Sequence, residues 1–221
     1  MSNPYAIDYA NTCFQYPVLD KIYGLPTFES LKTLKKQLKT NAQYVGDPNN
    51  YGYLGLVLSQ TEYTRVTNTQ FNPPADPGTF TVPPFTAVNE AMRLQEEHKE
   101  NIRKFRECNN VERALLKQIV AAVEPQYMKQ FTCSLTHTIC RPLREVVAQL
   151  FESFGKVTSD ELAKQEEKVK TFFWSPTDPP DTLYNMIDDL AQYAEAAKLP
   201  KTDQQILNYG LDLVKKTGEY E

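Results

Sequence analysis

The chain has only two histidines and four cysteines among its 221 residues. Cys13, Cys108, Cys133 and Cys140 are irregularly spaced, which argues against a disulfide framework and fits a reducing, cytosolic setting. No apolar run approaches the ~20 residues that a membrane span requires, so no membrane partner is expected. Met1-Ser2-Asn3-Pro4-Tyr5 lacks the basic and apolar regions of a signal peptide. Positive charge is not in excess: 24 Lys and Arg face 28 Asp and Glu, giving a net charge of −4. A chain built to grip nucleic acid along its surface is usually basic, so broad phosphate binding is not the first expectation. Gly52 and Gly55 do not have phosphate-loop spacing and no Gly-Lys-Ser/Thr follows them, which leaves nucleotide binding unsupported.

Catalytic constellations are equally scarce. His98 falls in the polar middle of a helical pattern and reads as a solvated surface histidine. His137 lies between two cysteines in a C-x3-H-x2-C spacing, so Cys133, His137 and Cys140 offer three soft ligands that zinc would accept. The neighbouring Phe131, Leu135 and Ile139 favour ordinary small buried thiols instead. The acid pairs Glu96/Glu97, Glu166/Glu167 and Asp188/Asp189 are adjacent on helical patterns, where neighbours point to different faces and make no acid–base dyad. No serine sits in a nucleophile elbow. No enzyme, cofactor or metal is expected.

What the sequence does contain is helical periodicity, with 41% hydrophobic and 24% charged residues. Residues 1–26 hold Tyr5, Tyr9, Phe14, Tyr16 and Tyr23 with no period, which reads as an extended arm whose aromatics dock on a surface of this chain or another copy. Thr27 can cap a first helix with Leu31, Leu34, Leu38, Ala42 and Val45 on one seam and Lys32, Lys35, Lys36 and Lys39 on other faces. That lysine-bearing side reads as a solvated face or as a surface packed against copies around a symmetry axis. Gly46 to Asn50 is a turn cluster, and Tyr51 to Leu58 is a short extended segment or a buried first helical turn. Ser59-Gln60-Thr61-Glu62 is a capping box that starts a short helix through about Thr67. Pro73, Pro74, Pro77, Pro83 and Pro84 forbid a regular helix over 68–85, leaving an exposed contact loop with one β-like piece, Thr79 to Val82.

Thr86 is expected to cap a helix through about Cys108. Asn109 and Asn110 are expected to break it from a buried helix over Val111 to Val123. Leu143, Val146, Val147, Leu150, Phe151 and Phe154 then recur at steps of three and four after Pro142. Gly155 supplies a left-handed helix end, and Thr158-Ser159-Asp160-Glu161 restarts a helix at once. The stop and restart mark a hinge at Gly155, Lys156 and Val157, taken as the domain boundary. Beyond it, Leu162 to Phe173, Leu183 to Ala194, and a Thr202-capped helix carrying Ile206, Leu207, Gly210, Leu211 and Val214 give three helices. Their core is thin, so a natural polypeptide that continues, or copies that complete one another, is expected.

Leu150-Phe151-Glu152-Ser153-Phe154-Gly155, then Val157 to Leu162, Pro176-Thr177-Asp178-Pro179-Pro180, Ile187-Asp188-Asp189 and Leu199 to Ile206 occur in that order. In order and spacing they resemble the Gag polyprotein of copia-type LTR retrotransposons. Gly52 to Leu58 with Glu62-Tyr63, and Ala114 to Tyr127, are similar to its algal-type branch. The resemblance implies an all-α capsid subunit: an N-terminal arm (1–26), a helical N-terminal domain (27–155) and a smaller C-terminal domain (156–221), whole or in part, joined by a short linker. It further implies self-assembly through pentamers and hexamers into a virus-like shell in the cytoplasm. RNA would be enclosed as cargo, held weakly here or through a further C-terminal segment. The zinc knuckle or basic tail of many relatives is not in this sequence. Contacts between subunits are expected at Lys32, Lys35, Lys36 and Lys39, at Phe80 in the proline loop, and at Trp174 and Tyr184 near the surface of the second domain. The rival readings are a monomeric helical adaptor that binds another protein, and a zinc-dependent domain using Cys133, His137 and Cys140.

Overall fold

The computed structural model describes residues 7–46 and 51–218. Among these residues every regular element is helical, and extended pairing is limited to two isolated bridges, Ile22 with Val123 and Thr132 with Ile139. The protein is all-α. It divides into two compact units, Met1–Leu150 and Phe151–Glu221.

The first unit is built on α2 (Phe28–Gln43) and α4 (Val88–Ala122). Thr27 and Ser30 cap α2 reciprocally. Leu31, Leu34, Leu38, Ala42 and Val45 all lie at 4% exposure or less, as their spacing requires. Each such leucine contributes roughly 1.5–3 kcal/mol of burial as an upper bound. Helix α4 runs unbroken through Asn109 and Asn110, where a break was expected. Asparagine is a weak helix former but not a breaker, and the buried seam Cys108, Val111, Leu115, Gln118, Ile119 and Ala122 holds that region in register. Its N-cap is Ala87, not Thr86. The Thr86 hydroxyl turns back to donate to the Pro83 carbonyl instead.

The N-terminal arm holds a one-turn helix, α1 (Tyr9–Thr12), capped by Asp8, where only extended chain was expected. Tyr9 and Phe14 are buried and Tyr23 is exposed, while Tyr5 lies outside the described residues. Polar side chains on the α2 and α4 seams pin the following stretch. Asn41 accepts from the Tyr16 N–H at 2.8 Å and donates to the Tyr16 carbonyl at 2.9 Å and to Gln118 Oε1 at 2.9 Å. Gln118 Nε2 donates to the carbonyls of Tyr16 and Pro17, and Gln37 accepts from the Asp20 N–H. Buried amides in this arrangement have partners on both sides, which is what makes their burial affordable in free energy.

Leu54–Leu56 forms a buried 3-10 turn rather than a strand. It leads to α3 (Gln60–Thr67), whose capping box of Ser59 and Glu62 is formed. Of the turn cluster, Gly46 is described, with φ +90°, and residues 47–50 lie outside the described residues. The short α5 (Pro125–Met128) and a 3-10 turn at Lys129–Phe131 precede α6 (Leu143–Phe154). The unit division falls inside α6, ahead of Gly155.

The second unit packs α7 (Ser159–Thr171), α8 (Pro180–Ala196) and α9 (Asp203–Lys215) in mutual contact. Capping boxes at Thr158/Glu161 and Thr202/Gln205 start α7 and α9. Leu162, Val169, Leu183, Ile187, Leu190, Ala194 and Leu213 are buried.

Candidate functional site

The lysine-bearing side of α2 is only partly a free surface. Lys35 Nζ lies 2.6 Å from Glu62 Oε1 on α3. Burial raises the Glu62 carboxyl, but hydrogen bonds from Lys35 and Ser59 outweigh it and hold the group below the usual carboxylate range. Lys39 is half-buried, and its ammonium is pushed below the usual lysine range by that burial, then by Lys35 and Lys36, with Glu62 opposing. Lys32 is half-buried and Lys36 is exposed.

The proline loop is pinned at its start and open at its end. Phe71 packs against Leu54, Leu58 and Tyr63, edge-on to the Tyr63 ring at 5.4 Å. It lies so close to Gly55 that an added Cβ there would meet Phe71 Cγ at 2.0 Å. Arg144 from α6 covers the other side. Its guanidinium stands 5.8 Å from the Phe71 ring centroid and donates to the Gly55 carbonyl and, at 3.3 Å, to Gln60 Oε1. Phe80 is not free: its ring lies 5.1 Å from that of His98, which is therefore a half-buried stacking partner rather than a solvated surface group. Thr79 to Val82 forms no strand. Phe85 is fully exposed with φ +66°, and Val88 and Met92 beside it on α4 are exposed at 74% and 64%. The polar middle of α4 is laced by Arg93 with Glu90 and Glu97, and by Arg103 with Glu100 and Glu107. That is the pattern of a solvated helix face. A cleft of about 700 Å³ between α1 and α4 is lined by Tyr9, Tyr44, Ile102, Arg103 and Arg106 among others, and its Arg103 is already committed to glutamates.

In the second unit, Trp174 is buried, which corrects its placement at the surface. Its indole Nε1 is buried without a hydrogen-bond acceptor. Tyr184 is 63% exposed on α8. Leu207 and Leu211 on α9 are 56% and 45% exposed, so two of the apolar positions that mark this helix in the sequence face outward. Gly210 lets α9 approach α8, since a Cβ there would stand 3.2 Å from Ile187 Cδ1. Lys201 pairs with Glu166, and Lys216 donates to the Lys170 carbonyl.

Gly155 does not adopt the left-handed conformation expected of it. Its N–H closes the helix on the Phe151 carbonyl at 2.8 Å. An added Cβ would stand 2.7 Å from that same carbonyl oxygen and 2.9 Å from Phe151 Cδ1. The glycine is required by close approach, not by φ. Gly155 and Val157 are buried and Lys156 is exposed.

Among the described residues no three His, Cys, Asp or Glu side chains gather as a metal-binding group, so Cys133, His137 and Cys140 do not assemble a zinc site. His137 is exposed and held at φ +53°, at the closing end of a tight turn over 134–136. Among the same residues no helix is long and apolar enough to cross a membrane.

Sequence reasoning passed over Asn41, Gln118, Gln37 and Phe71. The signal for the amides was present: each sits inside an apolar seam, where a polar residue needs a partner. Nothing local marks Phe71, whose partners lie eight or more positions away.

No family model, no characterised protein and no solved structure matches this chain.

Proposed function

We propose that this protein is a non-enzymatic capsid subunit of the copia-type Gag kind, which self-associates into a closed shell around RNA. The observation that carries the reading is where the Gag-like motifs fall. Gly155 closes α6, Thr158 caps α7, Pro179 and Pro180 open α8, and Thr202 caps α9. Motifs that are individually unspecific thus coincide with successive helix ends of a small all-α unit. The outward Leu207, Leu211 and Tyr184 supply apolar surface that a second copy would cover. In this reading the segment around Gly155-Lys156-Val157 lets one chemical subunit occupy inequivalent positions in the shell, the first unit forming pentamers and hexamers and the second linking them. RNA is enclosed rather than gripped, in keeping with the net charge of −4.

Negative-stain electron microscopy and light scattering of the purified protein test the proposal. Closed particles of uniform size are expected. A strictly monomeric species at high concentration across a range of salt would overturn it and favour the adaptor reading.

A further inference from the structure

Cys133 and Cys140 flank a turn that has no part in the assembly reading. The Thr132–Ile139 bridge closes that turn, and two backbone hydrogen bonds of 2.9 Å cross it, from the Cys133 N–H to the Thr138 carbonyl and from the His137 N–H to the Cys133 carbonyl. The backbone therefore holds the two cysteines on adjoining arms of a short hairpin. Three threonines line it: Thr136 Oγ1 and Thr138 Oγ1 lie 3.8 and 3.9 Å from Cys140 Sγ, and Thr132 precedes Cys133. The Cys140 thiol donates to the Thr138 carbonyl at 3.6 Å and is solvent-exposed, while Cys133 is half-exposed.

We propose that Cys133 and Cys140 are a reversible thiol–disulfide couple, with Cys133 the attacking sulfur and Cys140 the resolving one. The polar surroundings suit these roles. The Thr136 hydroxyl, then the Thr136 and Leu135 N–H groups, favour the Cys133 thiolate and pull the thiol down to about 7. Cys108, by contrast, is buried and raised to about 11 by that burial and then by Glu112 and Glu107, so it is inert.

With a low-molecular-weight disulfide such as oxidised glutathione, the Cys133 thiolate attacks one sulfur and expels a glutathione thiolate, which takes a proton from solvent. Cys140, losing its proton, then attacks Cys133 Sγ of the mixed disulfide and expels the second glutathione as a thiol. Two protein thiols are oxidised and one glutathione disulfide is reduced to two thiols. The product staples the hairpin and fixes its tip, where Leu135 is 88% exposed.

The test is mass spectrometry of the whole reduced protein after titration with oxidised glutathione. Both cysteines fall in one tryptic peptide, because no Lys or Arg lies between them. That peptide is expected to lose two hydrogen masses before Cys13 or Cys108 is modified. Iodoacetamide should modify Cys133 at pH 7 about threefold faster than a free cysteine peptide, its larger thiolate fraction offset in part by weaker nucleophilicity. Cys140→Ser should stop at a single glutathione adduct on Cys133, and Cys133→Ser should leave the peptide unmodified at the same dose. Both positions are in an exposed turn, and circular dichroism checks that each variant keeps its helices. A peptide that stays fully reduced while Cys13 is modified would overturn the proposal. So would equal adduct formation in the two variants. None of these readouts depends on particle assembly.

Discussion

The two units differ in how much of each helix they enclose, though single positions such as Leu190 and Leu213 are as fully buried as any in the first. In the first, α2 and α4 enclose a continuous seam in which Leu31, Leu38, Val111, Leu115 and Ile119 are at 1% exposure or less, and a polar network ties the arm across it. In the second, α9 buries only Leu213 and turns Leu207 and Leu211 outward. Three short helices cannot enclose all their apolar positions, and the remainder is left as surface. The first unit is thus specified by its interior. The second leaves part of its apolar character at the surface.

Paired truncations break this comparison most directly. Leu115→Ala should cost about 4 kcal/mol and melt the first unit, whereas Leu213→Ala should cost nearer 2–3 kcal/mol because its surroundings can collapse. Hydrogen exchange resolved by unit checks both, and equal losses would contradict the difference in enclosure. Next in size is Asn41→Leu, which strips the Tyr16 N–H of its acceptor and Gln118 of a donor. A loss of about 2 kcal/mol is expected, with exchange accelerated first at Tyr16 and Asp20. Unchanged protection there would show that apolar packing alone holds the arm. The smallest effect concerns Lys35 and Glu62. The Glu62 carboxyl titrates below its ordinary value of 4.5 in the folded protein. Its contribution is therefore present above that pH and is lost as pH falls through the depressed folded value. Glu62→Gln should remove that part of the acid sensitivity and cost no more than about 1 kcal/mol at neutral pH, since the pair is partly open to solvent. Thermal melts from pH 3 to 7 read this directly, and an unaltered pH slope would assign the acid sensitivity elsewhere.

What could be read from the chain follows the range of the interactions. The boxes at Ser59, Thr158 and Thr202 were legible because each is closed within four residues. The Leu31-to-Val45 seam was legible because burial repeats with the helical turn. Continuity of α4 through Asn109 was hidden, because the residues that hold it pack on distant segments. So was the role of Gly155, where a left-handed φ and a close approach demand the same residue type. Trp174 looked like surface from its neighbours in sequence and is interior. The candidate contacts were the least legible of all. Whether Lys35 is free depends on Glu62, 27 positions away, and whether Phe80 is free depends on His98.

One consequence follows from the length of α4. Its first buried residue, Cys108, is 20 positions beyond Val88, or about 30 Å along the axis. Its early turns, braced by the Phe80–His98 stack, form an outrigger that carries Phe85, Val88 and Met92 well away from the seam. A rod of this kind sets the spacing between its tip and the buried seam by a count of residues. Deleting whole turns from 88–100 should shorten that spacing in steps of about 5.4 Å while leaving the core untouched.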